Sequence, residues 1–403
     1  MMRHRHGLQI LALWIALCAI VMPAAGINLV VDYDTYDTSD FFGAGNPQDA
    51  GAQARAALGA AADYFSHILN DTLAAITVPD TYESTVFDGE VDWYWRMAFD
   101  HPSTGAEIKL ENPPLAADEY IIYAGARSYT GNTAGQGGPG GLEWGRRPTG
   151  SFTSEEIDEL EQIHDNFEQL VQKRGESSGF ARWGGTISFD TSSRVWHYDH
   201  TTPPSGNVTD FYSVAVHELA HALGFGSAQE WQSLVSGSYF TGVNAQSKYG
   251  GPVPLSGDQA HWAPGTSSVL YGGNTPQETA MDPDLTNGTR KRLTELDAAA
   301  MRDIGWELIP PPALHGDYNN NGIVDAADYA VWRDKLGQSV TILNDATPGS
   351  VTQADYTLWR SRFGQALGAG SGTALAAVPE PTSAVLACLC GAVFWFSRRK
   401  RRR

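Results

Sequence analysis

Apolar residues recur along this chain in two rhythms. Short runs of continuous or alternating apolar residues predict strands at residues 27–33, 120–124 and 184–190. Helical spacing predicts a helix over residues 55–69, with Leu58, Ala61, Ala62, Phe65 and Leu69 on one face. A second is expected over residues 154–173, capped by Ser154 and striped by Ile157, Leu160, Ile163, Phe167 and Leu170. A third covers residues 293–306 with Thr294 as its cap. Residues 131–145 are so rich in glycine that the stretch reads as too flexible for regular structure.

One helical stretch breaks its own pattern. From Val214 to Gly226 every residue is apolar or glycine except His217, Glu218 and His221. Positions four apart share a helix face, so the two imidazoles point to one place with a carboxylate beside them. That is the donor set of a zinc site, in which the carboxylate takes a proton from water activated at the metal. The plain alternative is a buried helix whose histidines are satisfied by core hydrogen bonds.

Gly224 follows His221 by three residues, where a sharp turn ends the helix in metzincin peptidases. HExxHxxG followed by Phe225 resembles that family, but Ser227 stands where its compact form has the third histidine. His261 is the only histidine between His221 and His315, which makes it the leading third ligand. Met281, in Glu278-Thr-Ala-Met-Asp-Pro283, resembles the methionine turn beneath the metal. A displaced third histidine resembles the leishmanolysin-like branch. The competing ligands are the carboxylates Glu230, Asp258, Glu278 and Asp282, and Tyr249 and Tyr271 lie near His261 in sequence.

Residues 137–141 and the GGTISFD segment before Trp196 resemble the matrixin segments that supply an edge strand and its neighbour. An edge strand near residues 142–145 would receive a peptide by strand addition. Matrixins carry a structural-zinc histidine where this chain has Ser188, so a second zinc is not expected; His197 and His200 could ligate an ion, but a solvated loop is the reading preferred.

Composition narrows the setting. A basic start, an apolar run over residues 8–22 and small residues at Ala24, Ala25 and Gly26 read as a secretory signal peptide. Cys18, Cys388 and Cys390 are the only cysteines, so the exported part has no disulfide. Of 27 basic residues eight lie in the two ends, against one of 46 acidic ones, which leaves residues 27–378 with a net charge near −26. So acidic a surface argues against nucleic acid as a partner.

Residues 327–337 return as residues 354–364, a repeat of period 27. The loop before the first copy places Asp317, Asn319, Asn321, Asp325 and Asp328 at calcium-loop spacing around Gly322. The second loop has Asn344, Ala346, Pro348, Thr352 and Asp355 at the matching positions, two of them without a side-chain oxygen, so weak or no binding is expected there. The pair resembles a type I dockerin, which implies Ca2+ and a cohesin-like partner. Val378-Pro-Glu-Pro381, the apolar run 384–396 and the basic cluster 398–403 resemble a PEP-CTERM sorting signal of Gram-negative bacteria, read by an exosortase. The run is short for a full span, so transient insertion in the inner membrane is expected, with the basic end cytoplasmic.

The chain is thus expected to be α+β, a twisted mixed sheet with an active-site helix and a small C-terminal subdomain, followed by a small all-α module. The expected parts are a signal peptide (1–26), a metzincin-like domain (27–309), a proline-rich linker (310–314), a dockerin-like pair (315–367), a linker (368–377) and a sorting signal (378–403). The function implied is an exported zinc endopeptidase acting on protein or peptide substrates in the cell envelope or outside it, with Zn2+ on His217, His221 and His261 and Glu218 as general base. The alternative is a catalytically inactive surface attachment protein using the dockerin-like module.

Overall fold

The computed structural model describes residues 26–365, apart from 177–181, 193, 274, 311–313, 320–322, 341 and 348. The expected signal peptide up to residue 25, the expected linker 368–377 and sorting signal 378–403, and Asn321 and Gly322 lie outside the described residues. No helix among the described residues is long and apolar enough to cross a membrane.

In chain order, β1 (Asn28–Asp32) leads to α1 (Gly51–Ile68), then β2 (Tyr82–Glu83), β3 (Glu90–Asp100), β4 (Glu107–Glu111) and β5 (Glu119–Arg127). The glycine-rich stretch forms β6 (Gly135–Pro139) and β7 (Gly141–Thr149), followed by α2 (Ser154–Lys173) and β8 (Gly184–Asp190). A short parallel pair, β9 (Trp196–His197) and β10 (Thr209–Asp210), feeds α3 (Phe211–Ala222). An excursion of α4 (Gln229–Ser233), β11 (Val235–Ser236), β12 (Tyr239–Phe240), α5 (Val243–Tyr249) and β13 (Val253–Pro254) separates α3 from His261. The hairpin β14 (Ser267–Val269) and β15 (Pro276–Glu278) precedes α6 (Glu295–Asp303). Two further helices, α7 (Ala326–Lys335) and α8 (Gln353–Arg362), close the described chain.

The molecule is α+β with two principal sheets. The first has the order β1-β5-β8-β6, in which β1, β5 and β8 run parallel and β6 lies antiparallel at one edge. In the second, β7 pairs with β3 from Glu90↔Thr149 to Ala98↔Gly141, and β2 and β4 take the other side of β3. Strand β3 alternates strictly, burying Val91, Trp93, Trp95, Met97 and Phe99 against Leu160, Phe167 and Val171 of α2. That period-2 rhythm suits a strand with one covered face.

The larger core lies between the first sheet, α1, α3 and α6. Helix α3 is fixed at its far end from both sides. Tyr120 Oη donates to Ala222 O at 2.8 Å, and Trp306 Nε1 donates to Leu223 O at 2.8 Å. At its start, the Asp210 side chain accepts from Ser213 N and pairs with Arg290 at 2.8 Å. Both groups satisfy helix-end positions that would otherwise be orphaned in a dry interior.

Three expectations are corrected by the fold. From Gly135 on, the glycine-rich stretch is regular apart from a break at Gly140, because its strands draw their stability from ladders to β8 and β3 and not from side-chain propensity, while residues 131–134 stay irregular. The edge strand beside α3 is β6, whereas residues 142–145 belong to β7 in the second sheet. The cap of α2 is Thr153, whose side chain accepts from Glu156 N in a reciprocal capping box, so Ser154 is already helical.

Candidate metal centre

His217 and His221 leave one face of α3, and His261 arrives from the far end of the excursion. Their Nε2 atoms lie 3.1, 3.1 and 3.0 Å apart, pair by pair. The other nitrogen of each ring has a partner: His217 Nδ1 is 2.8 Å from Ala280 O, His221 Nδ1 is 2.8 Å from Phe225 O, and His261 Nδ1 is 2.8 Å from Asp258 Oδ2. Carbonyls and carboxylates accept hydrogen bonds, so each Nδ1 carries the proton and each Nε2 presents a lone pair. Three lone pairs converging on one point repel unless a cation lies among them. Among the described residues this is the one cluster of histidine, cysteine and carboxylate side chains able to hold a metal.

The protonation states agree with that geometry. Burial, with the neighbouring imidazoles His221 and His261 adding to it, holds His217 well below the usual histidine range. Burial likewise brings His221 down to about 4. Neutral imidazole is the form that ligates.

Glu218 is 6 % exposed, and burial pushes its carboxyl up to about 8, with the donated N–H of Gly137 pulling the other way. Strand β6 reaches it because it is glycine. A Cβ on Gly137 would stand 2.2 Å from Glu218 O, and one on Gly135 would stand 2.9 Å from Glu218 Oε1. At Gly135 and Gly137, where no side chain intervenes, the strand therefore lies directly on α3.

Two turns bring His261 to the helix. Gly224 (φ +95°) and Gly226 (φ +75°) take left-handed conformations that end α3, and a Cβ on Gly226 would stand 2.3 Å from Ala260 O. Ser227 Oγ donates to His221 O at 3.2 Å. Met281 is fully buried in a turn closed by Asp282 N donating to Thr279 O, and Trp262 N donates to Met281 O at 3.1 Å. The fully buried carboxylate of Asp297 accepts from Trp262 Nε1, Ala280 N and Thr294, so one group fastens the segment carrying His261, the turn at Met281 and α6. Sequence reasoning gave no role to Asp297 or Gly226, since both act through contacts between distant segments.

The carboxylates that competed for the third position are engaged elsewhere. Glu230 faces Lys173, Glu278 and Asp282 face Lys291, and Asp258 holds His261 from behind. Tyr271 Oη accepts from Arg302, and neither it nor Tyr249 lines the cavity beside the histidines. His197 Nε2 lies 2.9 Å from Thr202 O and His200 stacks on Tyr212, apart from the triad.

That cavity, about 870 Å³, is bounded by β6, the first turns of α3 and the segment after Met281. It gives a ligand access to the histidines and to Glu218 together.

In the first repeat loop, Asp328 is buried and accepts from Asn319 N at 2.9 Å and Asp325 N at 2.7 Å, while Asp325 caps α7 through Ala327 N. Asp317 is also buried. In the second loop Thr347 Oγ1 donates to Asp355 at 2.8 Å, and Asn344 turns its amide to Asp317 O. The helices are joined reciprocally: Trp332 Nε1 donates to Thr352 O at 2.7 Å, and Trp359 Nε1 donates to Asp325 O at 2.8 Å.

No protein-family model, curated protein or solved structure matches this chain.

Proposed function

We propose that the protein is an exported zinc endopeptidase of metzincin type. The observation that carries this reading is the convergence of three Nε2 lone pairs beside the buried carboxylate of Glu218. A tri-histidine set with an accessible fourth side suits catalytic zinc. An attachment protein would have no use for a desolvated carboxylate at that point.

When bound, zinc would supply Lewis acidity and make a nearby water easier to deprotonate. His217, His221 and His261 would hold it through Nε2, with tautomers fixed by Ala280 O, Phe225 O and Asp258. Glu218 takes the proton of the attacking water on its carboxylate and delivers it to the leaving amine. Burial raises the affinity of the Glu218 carboxylate for a proton, which suits a base that accepts from water. Strand β6, paired on one side only, offers its free backbone edge to an extended peptide. Met281 and Asp297 keep the floor beneath His217 in place.

By the same reasoning residues 315–367 form a calcium-binding, dockerin-like pair for a cohesin-like partner, and the tail directs envelope sorting.

The test is zinc content and casein cleavage by the purified protein beside His261→Ala and Glu218→Gln. Wild type is expected to hold one zinc and cleave, His261→Ala to lose metal, and Glu218→Gln to keep metal and lose cleavage. Wild type without zinc, or cleavage unaffected by Glu218→Gln, overturns the reading.

A further inference from the structure

The cavity beside the histidines extends along α3 toward the start of the helix. Six residues separate Phe211 from His217, roughly 9 Å of helix axis. The distant part is lined by Ser213, Thr209, Asn132, Asn287 and two cations, Arg194 and Lys291.

The cations differ in what they have left to give. Lys291 is saturated: its Nζ donates to Asp284 O and lies 3.0 Å from Glu278 and 3.4 Å from Asp282. Arg194 is not. Its side chain is 19 % exposed, Nη1 donates to Thr209 Oγ1 at 3.2 Å, and Nη2 donates to Asn132 O at 2.8 Å. Nε is buried without a hydrogen-bond partner and forms only a loose ion pair with Asp190 Oδ2 at 3.7 Å, while the guanidinium carbon lies 5.7 Å from the centre of the Trp196 ring. Asp190 itself is already engaged by Tyr129 N and Ser192. Two bonds thus serve a guanidinium with five N–H groups.

We infer that Arg194 binds a carboxylate of the substrate next to the cleaved bond, and so selects acidic residues at that position. The inference rests on the peptidase reading above. An apolar side chain entering this part of the cavity would dehydrate the guanidinium and return nothing, whereas a carboxylate forms paired, charge-assisted bonds with its fork. Discrimination of this kind comes mainly from the cost of the unpaired group. The carboxylate belongs either to an Asp or Glu side chain or to the substrate's own C-terminus, and these sources are separable.

The experiment is cleavage of two peptide libraries by the full protein, one with amidated and one with free C-termini, followed by Glu and Gln versions of the best sequence. Wild type is expected to enrich Asp and Glu at a single position flanking the cut in the amidated series. Enrichment only when a free C-terminus flanks the cut assigns the same Arg194 site to the chain end. Arg194→Gln is expected to lower the Glu:Gln ratio of kcat/KM by roughly tenfold to a hundredfold, the range of a charge-assisted hydrogen bond. The fall should lie in the Glu peptide while the Gln peptide holds or rises, since the unpaired guanidinium no longer penalises it, and Arg194→Lys should keep part of the preference. A purely structural tie to Asn132 and Thr209 would lower both peptides together. Cleavage without acidic enrichment in either library, or a ratio unmoved by Arg194→Gln, overturns the inference while the peptidase reading stands. No cleavage of any peptide overturns both.

Discussion

Trp262 donates its indole N–H to Asp297 at 2.9 Å, which fastens the residue after His261 to the first turn of α6. The same carboxylate receives Ala280 N and Thr294 N, each at 2.9 Å. Asp297→Ala would strand several buried donors at once, so a loss of about 3–5 kcal/mol is expected in urea unfolding. Asp297→Asn, which keeps the shape and one acceptor, is expected to lose less.

On the proposed zinc reading, Asp258 would act on the metal through His261, whose Nδ1 lies 2.8 Å from its Oδ2. Its removal frees His261 to rotate or change tautomer, and outer partners of this kind are worth roughly tenfold to a hundredfold in metal affinity. Asp258→Ala is expected to release zinc to a chelator in that proportion, with an unchanged circular dichroism spectrum. Equal chelator resistance would show that backbone alone positions the ring.

Gly137 and Gly138 form a matched pair on β6. A Cβ at Gly137 meets Glu218 O at 2.2 Å, whereas a Cβ at Gly138 meets nothing within 4 Å. Gly137→Ala is expected to abolish cleavage and cost about 1–3 kcal/mol through overpacking. Gly138→Ala is expected to be close to neutral in both measurements.

Asp71 gives stability a pH dependence at the opposite end of α1 from the strand it follows. Both its oxygens accept from Glu307 N, at 3.1 and 3.0 Å, and burial pushes its carboxyl up to about 6. The folded state then holds a proton that the unfolded chain releases near pH 4, so this contribution is full below that point and is lost as pH rises toward 6. Asp71→Asn is expected to flatten that segment of the curve of unfolding free energy against pH. An identical slope in the variant would assign it to another group.

Much of the site was legible because its chemistry is local. The i, i+4 histidines and Glu218 sit on one helix, and scarcity alone pointed to His261. The strand Gly184–Asp190, helix Ser154–Lys173 and Thr294 cap follow from periodicity and capping, and appear where those rules place them. Strand β3 was equally readable in its alternation of Val91, Trp93, Trp95, Met97 and Phe99, yet it was not among the expected strands. What could not be read was set by contact between distant segments. Gly135 and Gly137 look like loop residues until α3 is known to pass beneath them, and Asp258 reads as a rival ligand until its oxygen is seen behind His261. Arg194 gave no sequence signal, since a cation at a cavity's far end belongs to no motif.

The reciprocal tryptophan bonds between α7 and α8 make the two copies of the repeat interdependent. Each copy completes the other's helix start, Trp332 reaching Thr352 and Trp359 reaching Asp325. Neither copy holds both ends of a tether, so half the module is not a smaller version of the whole. Severed between the two helices, each fragment would keep one indole without its carbonyl and one carbonyl without its indole.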